Sequence, residues 1–329
     1  MISARRRAIE SSAPNTCGMA GPDLAAAVSN AGGCGVLGMG GLPAPFIRQQ
    51  IRQVCALTDK PFGVNILLPL LQEGQIETCL EEKVPILVLF WGDPAPYVAE
   101  AYRRGTKVFF QTGSVEEAQA AARAGVDAII AQGVEAGGHV RSTTALSVQV
   151  PAIVEAVGPV PVIASGGIAN GRGLAAALSL GAQGVSMGAR FLASVETAVV
   201  QAYKERVVRS RAEDTVDTFL FDVGWPDAAH RVLRNEVVTE LEAADRPASG
   251  QRPGEGSVIG TMPVAGESVD IVKYMVFPPL TGFTGDFDSA VLYAGESCSL
   301  VNDIKPAAQI VRDVVREAEE AVKVLHGKA

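Results

Sequence analysis

From about residue 21 to residue 200, short β-rich segments alternate with alanine-rich helical ones at the spacing of βα units. Few architectures accept that alternation. A helix over about 21–31 opens with Pro22 and Asp23, good first-turn residues, and stops at Gly32-Gly33. Val36-Leu37 reads as a strand, then a helix over roughly 45–57, the strand Phe62-Gly63-Val64-Asn65, and a short helix near 72–81. Strands follow at 86–90, 107–111 and 128–132, with helices near 94–104 and 115–124 between them. Strands at 162–165 and 184–187 complete the series, with helices near 147–157 and 171–180. Seven parallel strands with helical crossovers predict an α/β fold, and a closed (β/α)8 TIM barrel needs one strand more. It must come from residues 8–20, a stretch with poor strand propensity.

A chain of 329 residues holds one large barrel with an appendage, or two ordinary domains. The texture changes after residue 204, where arginines, Trp225-Pro226 and a Pro/Gly/Ser-rich run at 246–257 replace the alternation. The expected organisation is a barrel over 1–204, a small inserted cap over 205–285, and helices over 286–329 packing back on the barrel. Residues 303–325 predict an amphipathic helix with Val311, Val314, Val315, Ala318 and Val322 on one side. A net charge of −8 argues against nucleic-acid binding, and Arg5-Arg6-Arg7 reads as a solvated tail. Five cysteines, odd in number and without C-x-x-C pairing, read as reduced thiols in a cytoplasm, with no structural metal expected. The longest strongly apolar run, 84–91, is far short of the ~20 residues that span a bilayer, and no apolar core follows the basic amino terminus.

The chemistry gathers at strand ends. The predicted strand at 128–132 runs into Gln132-Gly133-Val134-Glu135-Ala136-Gly137-Gly138-His139, which holds one of only three histidines. That is where α/β proteins place reactive groups, and glycines there let backbone N–H groups approach a flat or anionic ligand. Two glycine turns follow the last two strands, Ser165-Gly166-Gly167-Ile168 and Ser186-Met187-Gly188-Ala189-Arg190. In barrels this pair of loops commonly cradles a phosphate. Asn65, Gln111 and Gln132 close three other strands, and an amide offers both donor and acceptor to a heteroaromatic edge. Singly each reads as a tight turn or a satisfied rim residue; together they favour flavin mononucleotide (FMN). Gly33-Cys34-Gly35-Val36-Leu37-Gly38 matches G-x-G-x-x-G but follows a helix and enters a strand, the reverse of a dinucleotide site. His230 reads as a structural residue paired with a nearby carboxylate, and His326 as inert. No grouping has zinc spacing, and no G-x-S-x-G marks a hydrolase.

From residue 21 onward these features resemble the nitronate monooxygenase family, formerly the 2-nitropropane dioxygenases. The resemblance rests on Gly21-Pro22-Asp23-Leu24-Ala25-Ala26-Ala27-Val28, Pro61-Phe62-Gly63-Val64-Asn65, Glu135-Ala136-Gly137-Gly138-His139, Ser165-Gly166-Gly167-Ile168 and Met187-Gly188-Ala189-Arg190-Phe191. Phe221-Asp222-Val223-Gly224-Trp225-Pro226 and Tyr293-Ala294-Gly295 also look like the family. The resemblance implies an FMN-binding TIM barrel with a smaller cap. It implies cofactor contacts from Asn65, Gln132, Gly137, Gly167 and the turn Ser186, Met187, Gly188 and Ala189, with His139 facing the substrate. Three positions depart from the family pattern: Asn15-Thr16 stand where a Pro-Met pair is usual, Ala189 replaces a threonine, and Glu296 replaces a glutamine.

The implied activity is FMN-dependent oxidation of alkyl nitronates, and of nitroalkanes, by O2 to a carbonyl compound and nitrite. His139 would hydrogen-bond the nitro group or take the α-proton. An alternative is an FMN-dependent NAD(P)H reductase similar to the enoyl-acyl carrier protein or quinone reductases. A second alternative is a flavin-free binding protein, suggested by the altered amino terminus. The expected partners are small molecules, not nucleic acid or membrane, and a homodimer stays open.

Overall fold

The computed structural model of the chain describes residues 8–11, 18–244 and 247–326. Its strands in chain order begin with β1 (Ala8–Ser11), β2 (Cys34–Gly38), β3 (Phe62–Leu67), β4 (Ile86–Phe90), β5 (Lys107–Thr112) and β6 (Ala128–Gln132). A two-residue β7 (Gly138–His139) comes next, then β8 (Val162–Ser165) and β9 (Gly184–Ser186). All except β7 form one closed parallel barrel in the order β1-β2-β3-β4-β5-β6-β8-β9. The eighth strand does come from residues 8–20, but as four residues only. Ala8, Ile9 and Glu10 pair with β9, and Glu10 and Ser11 with β2, so pairing on both sides overrides weak propensity. Asn15-Thr16 lies outside the described residues.

The crossovers are α1 (Pro22–Asn30), α2 (Ala44–Leu57), α3 (Gln75–Glu81), α4 (Ala95–Arg103), α5 (Val115–Ala124), α6 (Leu146–Val157) and α7 (Gly171–Ser179). Their ends follow local chemistry. Ser114 caps α5 by accepting from the Glu117 N–H at 3.1 Å, Glu117 reaches back to the Gly113 N–H at 2.8 Å, and Gly125 ends the helix with φ 88°. The G-x-G-x-x-G segment is the exit of α1 and the entry of β2. A Cβ on Gly35 would run into the Ala25 backbone, so that glycine lets α1 lie close on the sheet.

Two-residue alternation sorts the barrel strands. Leu37, Val64, Leu87, Leu89, Ile129, Ala131 and Val185 point outward into the main core under the helices. Val36, Ile86, Val88, Ala128, Ile130 and Ile163 form a separate apolar plug inside the barrel. Following the inward parity to the carboxyl ends of β5, β6, β8 and β9 reaches Gln111, Gln132, Ser165 and Ser186. Asn65 has the same parity on β3. The interior is therefore apolar below and polar at its carboxyl-terminal mouth, where barrels carry their chemistry.

Beyond β9 come α8 (Ala189–Leu192), α9 (Gln201–Arg209), β10 (Thr215–Thr218), β11 (His230–Leu233) and α10 (Glu236–Ala243). A hairpin of β12 (Val258–Val264) and β13 (Glu267–Val272) with β14 (Thr284–Gly285) forms a second small sheet. The first small sheet has the order β10-β11-β7, with His230 opposite His139 and Arg231 opposite Gly138. The segment after β6 is thus a strand of this small sheet as well as a barrel loop. The last helix, α11 (Ala307–His326), packs on α7. Gly171 lies so close to Val314, Glu317 and Ala318 that any Cβ would overlap them, and its N–H donates to Glu317 Oε2 at 3.0 Å. Among the described residues, no helix is long and apolar enough to cross a membrane.

Candidate active site

A narrow cleft at the barrel mouth is lined by Gln111, Gln132, Gly137, His139, Ser165, Gly167, Ser186, Gly188, Ala189 and Gly295, among others. Seven of the nine sequence-predicted site residues meet there. Gln132, Ser165 and Ser186 stand side by side in the strand register. Asn65 is fully buried on β3; its Nδ2 donates to Val88 O at 3.3 Å, and its Oδ1 has no partner. Met187 is packed in the main core and does not line the cleft.

The glycines divide by physical role. Gly166 (φ 110°) and Gly167 (φ 66°) are consecutive positive-φ residues ahead of α7, a backbone conformation that favours glycine. Asn170 caps α7 by accepting from the Gly173 N–H at 3.1 Å. Gly137 is needed for closeness instead. A Cβ there would overlap the Gly295 nitrogen and the Ala294 carbonyl carbon, and one on Gly295 would lie 2.7 Å from Glu135 O and Gly137 N. The loop at 135–137 and the turn at 294–296 therefore lie backbone to backbone, joined by the Glu296 N–H donating to Glu135 O at 3.0 Å.

Side chains fix the rest of the loop. Gln132 Nε2 donates to His139 O at 3.0 Å, and its Oε1 accepts from the Arg141 N–H at 2.8 Å. The Glu135 carboxylate accepts from the Leu146 N–H at 3.0 Å, at the start of α6. From β11, the Arg231 guanidinium donates to Val134 O at 3.1 Å and stands 3.4 Å from Glu296 Oε1. The acid at 296 thus meets a cation.

His139 is the unusual group. It is buried, and neither ring nitrogen has a hydrogen-bond partner. Its ring stacks on Trp225 at 4.1 Å and 25°, with His230 at 5.4 Å, Tyr293 at 5.6 Å and Trp91 at 6.4 Å. Burial pushes its pKa well below the usual histidine value, and the neighbouring His230 pushes it further the same way. His139 is therefore a neutral imidazole with one free N–H and one free lone pair. His230 differs: Nδ1 lies 2.8 Å from Ala228 O, and Nε2 accepts from the Phe221 N–H at 3.1 Å. Both nitrogens are used by backbone, in place of the carboxylate partner expected from sequence. Its pKa is also lowered by burial.

Trp225 stands in the family-like segment 221–226 and Trp91 ends the apolar run 84–91, but nothing in the sequence marks either as a neighbour of His139. They lie in loops far apart in the chain and meet at 5.1 Å only in the fold. Nothing in the sequence marks Ser297, also in the cleft, as a site residue either.

The nitronate monooxygenase family profile matches residues 11–76 and 71–317. A probable nitronate monooxygenase of Staphylococcus aureus is 34% identical, over 93% of this chain and 94% of that protein. A (3aS,4S,5R,7aS)-5-hydroxy-7a-methyl-1-oxo-octahydro-1H-indene-4-carboxyl-CoA dehydrogenase of Mycobacterium tuberculosis is 38% identical over 69% of this chain, and the match spans 64% of that protein, under two thirds of its length. The solved structure of FabK from Thermotoga maritima superposes with a TM-score of 0.83 at 35% identity, covering 98% of this chain and 96% of that one.

Proposed function

The chain belongs to the nitronate monooxygenase family, an oxidoreductase family, and we propose that it oxidises alkyl nitronates with O2 to a carbonyl compound and nitrite, using FMN. The observation that carries this reading is His139, a neutral, buried imidazole with both nitrogens unpartnered at a polar-rimmed barrel mouth.

The residues present fit the chemistry of FMN. Asn65 Oδ1 is a buried acceptor without a partner, and Gly166 and Gly167 line the cleft with Ser186, Gly188 and Ala189, leaving no Cβ of their own at that wall. Gly167 and the turn at 186–189 would hold the phosphate, and Asn65, Gln111 and Ser165 the polar edge of the ring system. Gln132 and Gly137 act one step back: Gln132 ties down the backbone on either side of Val140, and Gly137 lets the loop seat against residues 294–296. When bound, the flavin supplies the electron-transfer chemistry.

The environment of His139 supports one of its two roles over the other. Forming an imidazolium in a box of Trp91, Trp225, Tyr293 and a neutral His230 is penalised by burial. The ring is thus a weak base and a good neutral donor, suited to a hydrogen bond on a nitronate oxygen. Taking the α-proton of a neutral nitroalkane is the harder task, so the nitronate anion is the favoured substrate. Stacking on Trp225 fixes the ring plane, and the surrounding rings keep water from competing for its N–H. His139→Asn should lower kcat/KM for a nitronate by about 10²-fold or more, with flavin absorbance retained. Unchanged kinetics would remove His139 from the reaction.

The dehydrogenase name of the 38%-identical relative favours a second reading, a flavin-dependent enzyme that exchanges electrons with NAD(P)H. The enclosed box around His139 suits a small substrate better than a dinucleotide.

A further inference from the structure

His139 is buried at the edge of the cleft, and four rings close over its other side. Three of its neighbours are anchored. His230 is fully buried and hydrogen-bonded through both nitrogens. Tyr293 is fully buried, its hydroxyl donating to Val276 O at 3.0 Å and its carbonyl accepting from the Tyr203 hydroxyl at 2.7 Å. Trp225 is 6% exposed and packed among Leu67, Phe90, Ala228 and Val276.

Trp91 is different. It is only half-buried, directly after β4, and its backbone has φ 64°, a left-handed conformation that a bulky side chain rarely adopts. Such strain persists where surrounding contacts enforce it, and it gathers at ligand clamps. The ring is held edge-on to Phe90 at 5.4 Å and Trp225 at 5.1 Å, with the Arg141 guanidinium 5.2 Å from its centre. Gly92 follows at φ 146° with Leu68 against the position a Cβ would take, so the backbone beside Trp91 has its own glycine-only joint. These contacts are apolar or cation–π, and each can be broken without stranding a buried hydrogen bond.

We propose that Trp91 is the specificity-determining residue of this site: its indole is the movable wall over His139, and it restricts access to compact substrates. The proposal rests on His139 being the substrate-facing group and extends that reading to the substrate's size. Nitronates with short alkyl groups pass a partly displaced indole; long or branched ones require it to leave altogether.

The test reads His139 directly. Diethyl pyrocarbonate acylates neutral imidazoles, and peptide mass spectrometry separates His139 from His230. In the full-length protein, Trp91→Ala should speed His139 modification by about tenfold or more while His230 stays slow, and Trp91→Phe should fall between. An unchanged His139 rate, or His230 accelerating in step with it, would overturn the proposal. On flavin-loaded enzyme, Trp91→Ala should also raise kcat/KM for hexyl nitronate relative to ethyl nitronate by about tenfold. An unchanged ratio overturns the size restriction. If the wild type turns over neither nitronate, the proposed activity fails, while the modification rates still decide whether Trp91 guards His139.

Discussion

Gly137→Ala separates a packing role for this glycine from a ligand-contact role. Gly137 does not have a positive φ, so alanine meets no left-handed strain there. The conflict is spatial. The new Cβ would overlap the Gly295 nitrogen and the Ala294 carbonyl carbon and lie 2.8 Å from Ala294 Cα. Even at that last atom, relief to ordinary carbon–carbon contact needs about 0.7 Å, and backbone cannot rotate away as a side chain could. Separation of that size strains or breaks the Glu296 N–Glu135 O hydrogen bond, now 3.0 Å. Overpacking costs about 1–3 kcal/mol and the bond about 1 kcal/mol, giving a loss of about 2–4 kcal/mol. At about 2 °C per kcal/mol for a chain of this size, Tm should fall by about 4–8 °C in a thermal melt followed by circular dichroism. Gly167→Ala is the matched control. Its Cβ would have Glu135 Cβ at 3.7 Å as nearest atom, so only the φ of 66° is penalised, by about 1–2 kcal/mol. A Gly137→Ala protein melting within 1 °C of wild type would refute the backbone-to-backbone contact and return Gly137 to a purely ligand-binding role.

Two further outcomes follow from the same geometry. His139 and His230 have lowered native pKa values, so below the unfolded value of 6.5 the unfolded chain takes up protons that the native protein refuses. Stability is then lost as pH falls from 6.5, by about 1.4 kcal/mol per unit for each ring while it stays neutral, and His139→Asn should remove one share of that slope in urea melts between pH 6.5 and 5. Depressed carboxylates such as Glu255, pulled down to about 2 chiefly by Arg252, stabilise above the ordinary carboxylate range and lose that only at lower pH, outside this window. An unaltered slope in the variant would show that His139 is not a buried neutral ring. Gly171→Ala should loosen α11 from α7, seen as faster trypsin cleavage within 307–326 with the barrel left intact; equal cleavage rates would contradict the close α7–α11 contact.

The barrel was legible because two-residue alternation and capping chemistry are local. The strand ends at Asn65, Gln111, Gln132, Ser165 and Ser186 follow from the same parity, which is why a polar mouth could be read before the fold. What escaped was long-range. Residues 138–139 read as loop because their strand partners, 230–231, lie some ninety positions away, and a two-residue strand has no pattern of its own. His230 is a different case: its partners, the Ala228 carbonyl and the Phe221 amide, are close in sequence, but backbone groups leave no mark in the residue types, whereas a neighbouring acid does. Trp91 ends an apolar run and Trp225 lies in a family-like segment, and only the fold brings both to His139. The first strand shows the converse case, a segment of poor propensity drafted into the sheet by two neighbours.

The central claim is that a flavin in this barrel takes electrons from a nitronate. Mixing the flavin-loaded protein under nitrogen with ethyl nitronate, and separately with NADH or NADPH, while recording the visible spectrum tests it most directly. The account predicts loss of the oxidised-flavin absorbance with the nitronate, its recovery with nitrite release when air is admitted, and little change with either nicotinamide. Rapid bleaching by NADH or NADPH, with a spectrum indifferent to the nitronate, would contradict it.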